Sequence, residues 1–141
     1  MFGHIVLISS DESLADPLSQ WTVDWLDRYK VPVEKTLYHC TDLKLATASL
    51  QIPLQMGHPP SLVIIDHSID ITEAQPFARL LRDCLPEVWI IELANQTSYL
   101  PEALNAFVLM KPVCQKDWDD ILHHVYVQAI TPQWSVTSSN K

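Results

Sequence analysis

Basic residues are scarce in this chain of 141 residues. Nine Lys and Arg stand against seventeen Asp and Glu, which gives a formal net charge of −8. Binding to a nucleic-acid backbone depends on clustered Lys and Arg that neutralise phosphates. The charge balance therefore excludes DNA or RNA as a direct partner.

Cysteine is also sparse, with Cys40, Cys84 and Cys114 far apart and no CxxC pair. An odd, scattered set suits a reducing compartment better than a disulfide framework, and it predicts buried free thiols. The histidines form neither an HExxH motif nor the paired spacing of a zinc site, so no metal centre is expected. The neighbours His123 and His124 are predicted to be surface residues.

Long apolar runs are missing. No run approaches the roughly 20 residues that span a bilayer, and the start "MFGHIVLISSDES" lacks the features of a signal peptide. Apolar residues make up 48% and charged residues 18%, a globular mixture. We expect a cytoplasmic protein with one domain over residues 1–130, followed by a polar tail or the start of a linker over residues 131–141.

The chain does contain five strand-like segments. The unbroken apolar run "HIVLIS" is typical of a strand covered on both faces, as in a parallel sheet. Four further segments follow: "VEKTLYHC", predicted near an edge of the sheet, then "SLVIID", "EVWIIEL" and "FVLM".

Helix-like segments alternate with these strands. The pattern predicts an amphipathic helix over "DPLSQWTVDWLDRYK", and a second one over "TDLKLATASLQ" that Thr41 or Asp42 caps and Pro53 stops. A capping box over residues 72–75 predicts a third helix. A short fourth helix is expected around "PEALNA" and a fifth over "QKDWDDILHHVYVQA".

This alternation predicts an α/β fold, with a parallel sheet between helices joined by right-handed crossovers. In such doubly wound sheets the functional crevice lies outside the carboxyl ends of the strands. The residues predicted at that edge are Ser9, Ser10, Asp11, Asp66, Ala94, Asn95 and Lys111.

In order and spacing, the motifs "HIVLISSDE", "LVIIDHS", "WIIELAN" and "FVLMKPV" resemble those of bacterial response-regulator receiver domains. The resemblance extends from about His4 to Ala129. It implies a flavodoxin-like (βα)5 fold with a five-stranded parallel sheet in the order 2-1-3-4-5. Asp66 matches the phosphoacceptor, and Lys111-Pro112 matches the lysine and the following proline, which a cis bond usually joins.

The first departure from that family concerns its metal ligands. Phosphorylating a carboxylate requires a divalent cation held by further carboxylates, because the phosphoryl group and the acceptor are both negative. Active receivers place two acids directly after strand one, where this chain has Ser9 and Ser10. Asp11 follows directly and, with Asp66, is a candidate metal ligand. Bringing Asp11 to the position of the family's acids requires a one-residue shift of the first strand or a β-bulge in it.

The second departure concerns the switch. Active receivers end strand four with Thr or Ser, where this chain has Ala94, which cannot donate a hydrogen bond. Val108 occupies the position of the family's switching aromatic, and the aromatic Phe107 should face the other way. We expect His67 to be a loop residue without a function, and Lys111 to form a salt bridge with Asp66.

These departures favour a degenerate member, a pseudo-receiver, as a module for phosphorylation-independent protein binding in two-component-type signalling. The interpretation predicts no enzymatic activity and no cofactor. The partner is a signalling kinase or an effector domain, and a homodimer is possible through the face of helix four, strand five and helix five. The predicted outward residues of helix five are Lys116, Asp119, Asp120, His123, His124 and Val127.

Three alternatives stay open. One is a working receiver phosphorylated on Asp66, with Mg²⁺ held through Asp11 and with Lys111 as the cation. Another is the regulatory domain of a transcription factor, with "TPQWSVTSSNK" as linker, although no helix-turn-helix is present. The last is a flavin or nucleotide binder, disfavoured because "SSDES" has no glycine and two acids. Trp134, in the tail, is expected to fold back onto the domain.

Overall fold

The computed structural model of the chain describes residues 4–31, 37–55, 57 and 59–126, and of residues 52–54 the backbone alone. Predictions for the tail and linker, for Val127 and for Trp134 lie outside the described residues.

Five parallel strands form the sheet. They are β1 (Ile5–Ile8), β2 (Leu37–Cys40), β3 (Leu62–Asp66), β4 (Trp89–Ala94) and β5 (Phe107–Met110). Their order is β2-β1-β3-β4-β5, which confirms the predicted flavodoxin-like topology and the edge position of the second strand. Every residue of β1 and β3 is buried, because helices cover both faces of the inner strands.

Three α-helices connect the first four strands: α1 (Ala15–Tyr29), α2 (Leu43–Gln55) and α3 (Ile71–Cys84). A fourth helix, α4 (Gln115–Val125), follows β5. The helix predicted around "PEALNA" is reduced to a 3-10 turn at Glu102–Leu104, so α4 is the predicted fifth helix. The turn ends at Asn105, whose backbone is left-handed with φ 55°. Within the described part of the chain, no helix is long and apolar enough to cross a membrane.

Two predicted helix boundaries need correction. Asp42 caps α2 by accepting the Leu45 N–H at 2.8 Å, but the helix continues two residues past Pro53. A proline there removes only one N–H bond close to the end of the helix. The cap of α3 is Asp70, which accepts the Thr72 N–H at 3.0 Å, so the predicted capping box at Thr72 does not form.

Each face of the sheet carries its own apolar core. Trp25, Trp118 and Tyr126 are fully buried on the face covered by α1 and α4. The Trp118 indole N–H donates to Thr22 Oγ1 at 2.9 Å, and the Thr22 hydroxyl donates to the Leu18 carbonyl at 2.6 Å. The opposite face packs against α2 and α3.

The prediction of buried thiols is wrong for two of the three cysteines. Cys40 is buried at the end of β2, whereas Cys84 and Cys114 are exposed. Cys84 is the last residue of α3, and the buried side of that helix runs through Ala74, Ala78 and Leu81 instead. All three thiols are free.

The outward face predicted for the fifth helix is only partly right. Lys116 and Asp120 are exposed and lie 3.4 Å apart as an ion pair. Asp119 and His123 are half-buried and face α1: Asp119 pairs with Arg28 at 3.7 Å, and the His123 ring packs edge-on against Trp25. His124 is exposed, as predicted.

Candidate functional site

Asp66 ends β3 at the carboxyl edge of the sheet and is fully buried. The Ser9 hydroxyl donates to Asp66 Oδ2 at 2.9 Å, and the Ser68 N–H donates to the same oxygen at 3.2 Å. Lys111 Nζ lies 2.7 Å from Asp66 Oδ1 in a salt bridge. Both carboxylate oxygens are therefore engaged by groups of the chain itself.

These contacts decide the ionisation of Asp66. Burial acts to raise the pKa of this carboxyl, but the Lys111 ammonium and the hydrogen bonds from Ser68 and Ser9 together hold the pKa below its ordinary value. Asp66 is consequently an anion paired with Lys111 at neutral pH. Lys111 also begins the cis peptide bond to Pro112 that the resemblance implies.

Ser9 and Ser10 have different surroundings. Ser9 is buried, and its hydroxyl lies between Asp66 and the Asp11 N–H, which donates to it at 3.0 Å. His39 Nε2 lies 2.8 Å from the carbonyl oxygen of Ser9, within hydrogen-bond distance. Ser10 is exposed, and its N–H donates to Ser68 Oγ at 2.9 Å.

Asp11 is exposed, and its carboxylate accepts from the hydroxyl of Ser13 at 2.6 Å and from the Ser13 N–H at 3.0 Å. These two hydrogen bonds hold the pKa of Asp11 below its usual value. The carboxylate thus caps the 3-10 turn at Glu12–Leu14. Across the residues that the structure describes, no three His, Cys, Asp or Glu side chains come together as a metal site would require.

Ala94 and Val108 lie where the sequence places them. Ala94 is buried at the end of β4, and its carbonyl accepts the Lys111 N–H at 2.8 Å. Val108 is 42% exposed on the edge strand β5. Phe107 points to the opposite face, where it stacks on Trp89 at 5.4 Å between ring centroids.

Sequence reasoning missed the buried carboxylate of Glu92, in the middle of β4. His67 Nε2 contacts Glu92 Oε2, and the Tyr99 N–H donates to the same oxygen at 2.6 Å. The Ser98 hydroxyl donates to Oε1 at 2.6 Å. A charged residue inside the apolar run "WIIELA" was the available signal, because a buried charge requires partners.

His67 thus has defined buried partners although it follows β3 in a loop. The Asn95 N–H donates to His67 Nδ1 at 3.2 Å, which places the proton of a neutral ring on Nε2, facing Glu92. The ring stacks on Tyr99 at 3.8 Å between centroids. Burial and the neighbouring Glu92 carboxylate raise the pKa of the Tyr99 hydroxyl, which stays a donor.

The strand order, Asp66 at the end of β3 and the Lys111-Pro112 step are features of the receiver fold. A receiver domain from Methanospirillum hungatei, described as CheY-like, aligns with a TM-score of 0.65 and 14% identity over 92% of this chain and 97% of that one. The beryllofluoride-activated NtrC4 receiver domain dimer aligns with a TM-score of 0.66 and 13% identity over 89% and 98% of the two chains.

A putative pilus assembly-related protein from Burkholderia pseudomallei has a TM-score of 0.62 and 16% identity over 90% of this chain and 91% of that one. No protein-family model matches the chain, and its sequence matches no curated protein. The comparisons therefore show that the chain has the flavodoxin-like fold of response-regulator receiver domains.

Proposed function

We propose that this chain is a pseudo-receiver, a module of two-component-type signalling that binds a protein partner independently of phosphorylation. The observation that carries the proposal is the closed environment of Asp66. Its carboxylate is fully buried, and its two oxygens are held by Ser9, Ser68 and Lys111.

The chemistry of phosphoryl transfer supports this reading. The acceptor oxygen must reach the phosphorus in line, and a divalent cation must neutralise the transferred charge. Asp66 exposes no surface to an incoming phosphoryl donor. The neighbouring Ser9 offers a neutral hydroxyl that already donates to Asp66, whereas Mg²⁺ prefers carboxylates and water.

A working phosphoacceptor receiver is the second candidate. The salt bridge of 2.7 Å between Lys111 and Asp66 favours it, because an ionised acceptor next to a lysine is also what phosphotransfer needs. In that case the carboxylate of Asp11 has to leave Ser13 and join Asp66 around Mg²⁺.

Intact-protein mass spectrometry after incubation with acetyl phosphate and Mg²⁺ separates the two candidates. The pseudo-receiver gains no phosphoryl group, and the Asp66→Asn control behaves identically. One added phosphoryl on the wild-type chain that the Asp66→Asn variant lacks refutes the proposal and makes Asp11 the first metal ligand to test.

The edge strand β5 is the proposed contact surface for a second copy or an effector domain. Val108 and Met110 are 42% and 47% exposed there, and they follow a segment that contains only a 3-10 turn. The helix α4, whose His124 ring contacts Phe107 of β5, carries the exposed ion pair of Lys116 and Asp120. The three free thiols fit a reducing compartment, and we assign the module to the cytoplasm.

Light scattering after size exclusion tests the homodimer. We expect the wild-type chain to run as a dimer whose dissociation increases in Val108→Asp. Leu45→Asp is the matched control, since Leu45 is 50% exposed on α2, which packs on β1 and β2 at the other side of the sheet. A wild-type monomer at high concentration, or equal effects of both substitutions, refutes this surface as a dimer contact.

A further inference from the structure

The segment of residues 95–106, here named the strap, joins β4 to β5. Its only regular element is the 3-10 turn at Glu102–Leu104. Leu100 and Leu104 of the strap are 7% and 6% exposed and belong to the core that also contains α3 residues. A segment with so little helical structure has few internal hydrogen bonds, so its position depends on contacts with the rest of the domain.

The strongest of these contacts converge on Glu92. The Ser98 hydroxyl of the strap donates to Glu92 Oε1 and the Tyr99 N–H donates to Oε2, both at 2.6 Å. His67 Nε2 also contacts Oε2. The carboxylate is fully buried. The described contacts of this acceptor come from two strap donors and from His67, so the strap supplies most of the hydrogen bonds that the buried side chain requires.

Tyr99 adds contacts on the outer side of the cluster. Its hydroxyl donates to the Ile69 carbonyl at 3.0 Å and lies 3.3 Å from the Asp66 carbonyl. Its own carbonyl accepts from Gln75 Nε2 at 2.5 Å. His67 packs flat on the ring and accepts the Asn95 N–H, so the first half of the strap is held on three sides.

The second half of the strap is held from α3. Arg82 donates to the Leu104 carbonyl at 2.9 Å from Nη2 and at 3.2 Å from Nε. The same guanidinium donates to the carbonyls of Pro86 and Val88 at 2.9 and 2.6 Å. Arg82 thereby ties the end of the strap to the loop between α3 and β4.

We propose that Glu92 anchors a latch, formed with His67, Ser98 and Tyr99, that keeps the strap closed over the apolar core. Releasing the latch frees the first half of the strap and exposes Leu100, while Arg82 still holds the carbonyl of Leu104. The conformation of the strap then depends on this buried cluster. It does not depend on a phosphoryl group on Asp66. The inference does not depend on the proposed function, because Asp66 enters the latch only through its backbone carbonyl.

Two substitutions at Glu92 separate acceptor chemistry from packing. Glu92→Leu keeps a side chain of similar size and removes both acceptor oxygens. Glu92→Gln keeps one oxygen for the Tyr99 N–H and His67, and turns its amide towards Ser98, whose hydroxyl can accept. The latch therefore predicts a large effect of leucine and a small effect of glutamine.

Hydrogen exchange of the Asn95 and Tyr99 amides measures latch opening, because both amides donate into the cluster. In Glu92→Leu we expect these amides to exchange about tenfold faster or more, because the Tyr99 N–H loses its acceptor and His67, the acceptor of the Asn95 N–H, loses the side chain that orients its ring. Amides of β1 (Ile5–Ile8) serve as the reference for global unfolding and should accelerate less. Glu92→Gln should stay within about threefold of the wild-type rates.

Unchanged exchange at Asn95 and Tyr99 in Glu92→Leu overturns the latch, as does acceleration only in step with β1. If Glu92→Leu does not fold, His67→Ala provides the decision, because it removes the acceptor of the Asn95 amide and the ring stacked on Tyr99. A larger acceleration, relative to the wild-type chain, at the Tyr99 amide than at the β1 amides supports the latch in that variant, because the Tyr99 amide keeps its acceptor Glu92. Full retention of protection at Tyr99 overturns it.

Discussion

Replacing Lys111 with methionine removes the ammonium group that neutralises Asp66 while keeping an unbranched side chain of similar length. The two charges are 2.7 Å apart, and the Lys111 side chain is 21% exposed. After the substitution, the Asp66 carboxylate keeps only the hydrogen bonds from Ser9 and Ser68. An uncompensated buried charge is among the most destabilising changes available in a folded domain.

The size of the loss has an upper limit. Breaking a buried ion pair costs about 3 to 5 kcal/mol. The carboxyl can instead become protonated, and at pH 7 this costs about 4 kcal/mol for a group with an ordinary pKa of 3.8. The two remaining hydrogen bonds lower the loss further, by about 1 kcal/mol each. We therefore expect Lys111→Met to lower the free energy of unfolding by about 2 to 4 kcal/mol at pH 7.

The loss should also depend on pH. In the wild-type chain the folded-state pKa of Asp66 is lowered, so its contribution to stability is present above pH 3.8 and disappears as the pH falls through the folded value. Without Lys111, burial acts with less opposition and the folded-state pKa rises. The difference in stability between the wild-type chain and the variant should therefore be largest at neutral pH and shrink as the pH falls towards 4.

Urea denaturation of four chains measures the interaction: the wild type, Lys111→Met, Asp66→Asn and the double variant. We expect the double variant to be more stable than the sum of the single effects predicts, by at least about 1 kcal/mol, because removing both charges leaves neither unpaired. A loss below about 0.5 kcal/mol in Lys111→Met, or strict additivity in the cycle, refutes the account of the pocket as closed by this ion pair.

Two further substitutions, one of them with a matched control, test other buried hydrogen bonds by the same denaturation assay. Ser9→Ala should lower the free energy of unfolding by about 1 to 2 kcal/mol, because Asp66 Oδ2 loses a donor. The control Ser10→Ala, on the exposed side of the loop, should change it by no more than about 0.5 kcal/mol. Equal effects contradict the assignment of this hydrogen bond. Thr22→Val keeps the shape of the side chain but leaves the buried Trp118 N–H without its acceptor, so it should cost about 1 to 3 kcal/mol, and a neutral result rules out that bond as a stabilising contact.

The fold is predictable because it follows from apolar patterning. Continuous apolar runs separated by helical segments require a parallel sheet covered on both faces, and β1 and β3 show this burial at every position. The short segment around "PEALNA" failed as a helix because periodicity says little about six residues. Pro101 is extended and Asn105 left-handed, which leaves room for one 3-10 turn only.

The site is predictable only in part. Parallel strands bring their carboxyl ends to one edge, so the proximity of Asp66, Ser9 and Lys111 follows from topology. The role of Glu92 does not, because its partners Ser98 and Tyr99 come from an irregular segment whose path depends on side-chain contacts. Sequence order alone gives no reason for His67 to turn towards a carboxylate 25 residues further on.

Whether the Asp66 pocket is closed is tested most directly by amide chemical shifts during titration with Mg²⁺ and then beryllofluoride, a phosphoryl analogue. If the pocket is closed, the amides of Asp66, Ala94 and Asn95 show no saturable change in chemical shift. The wild-type chain then responds to the titration in the same way as Asp66→Asn. Saturable shifts at these amides in the wild-type chain, absent from Asp66→Asn, would contradict this closure and show a pocket that still accepts a phosphoryl group.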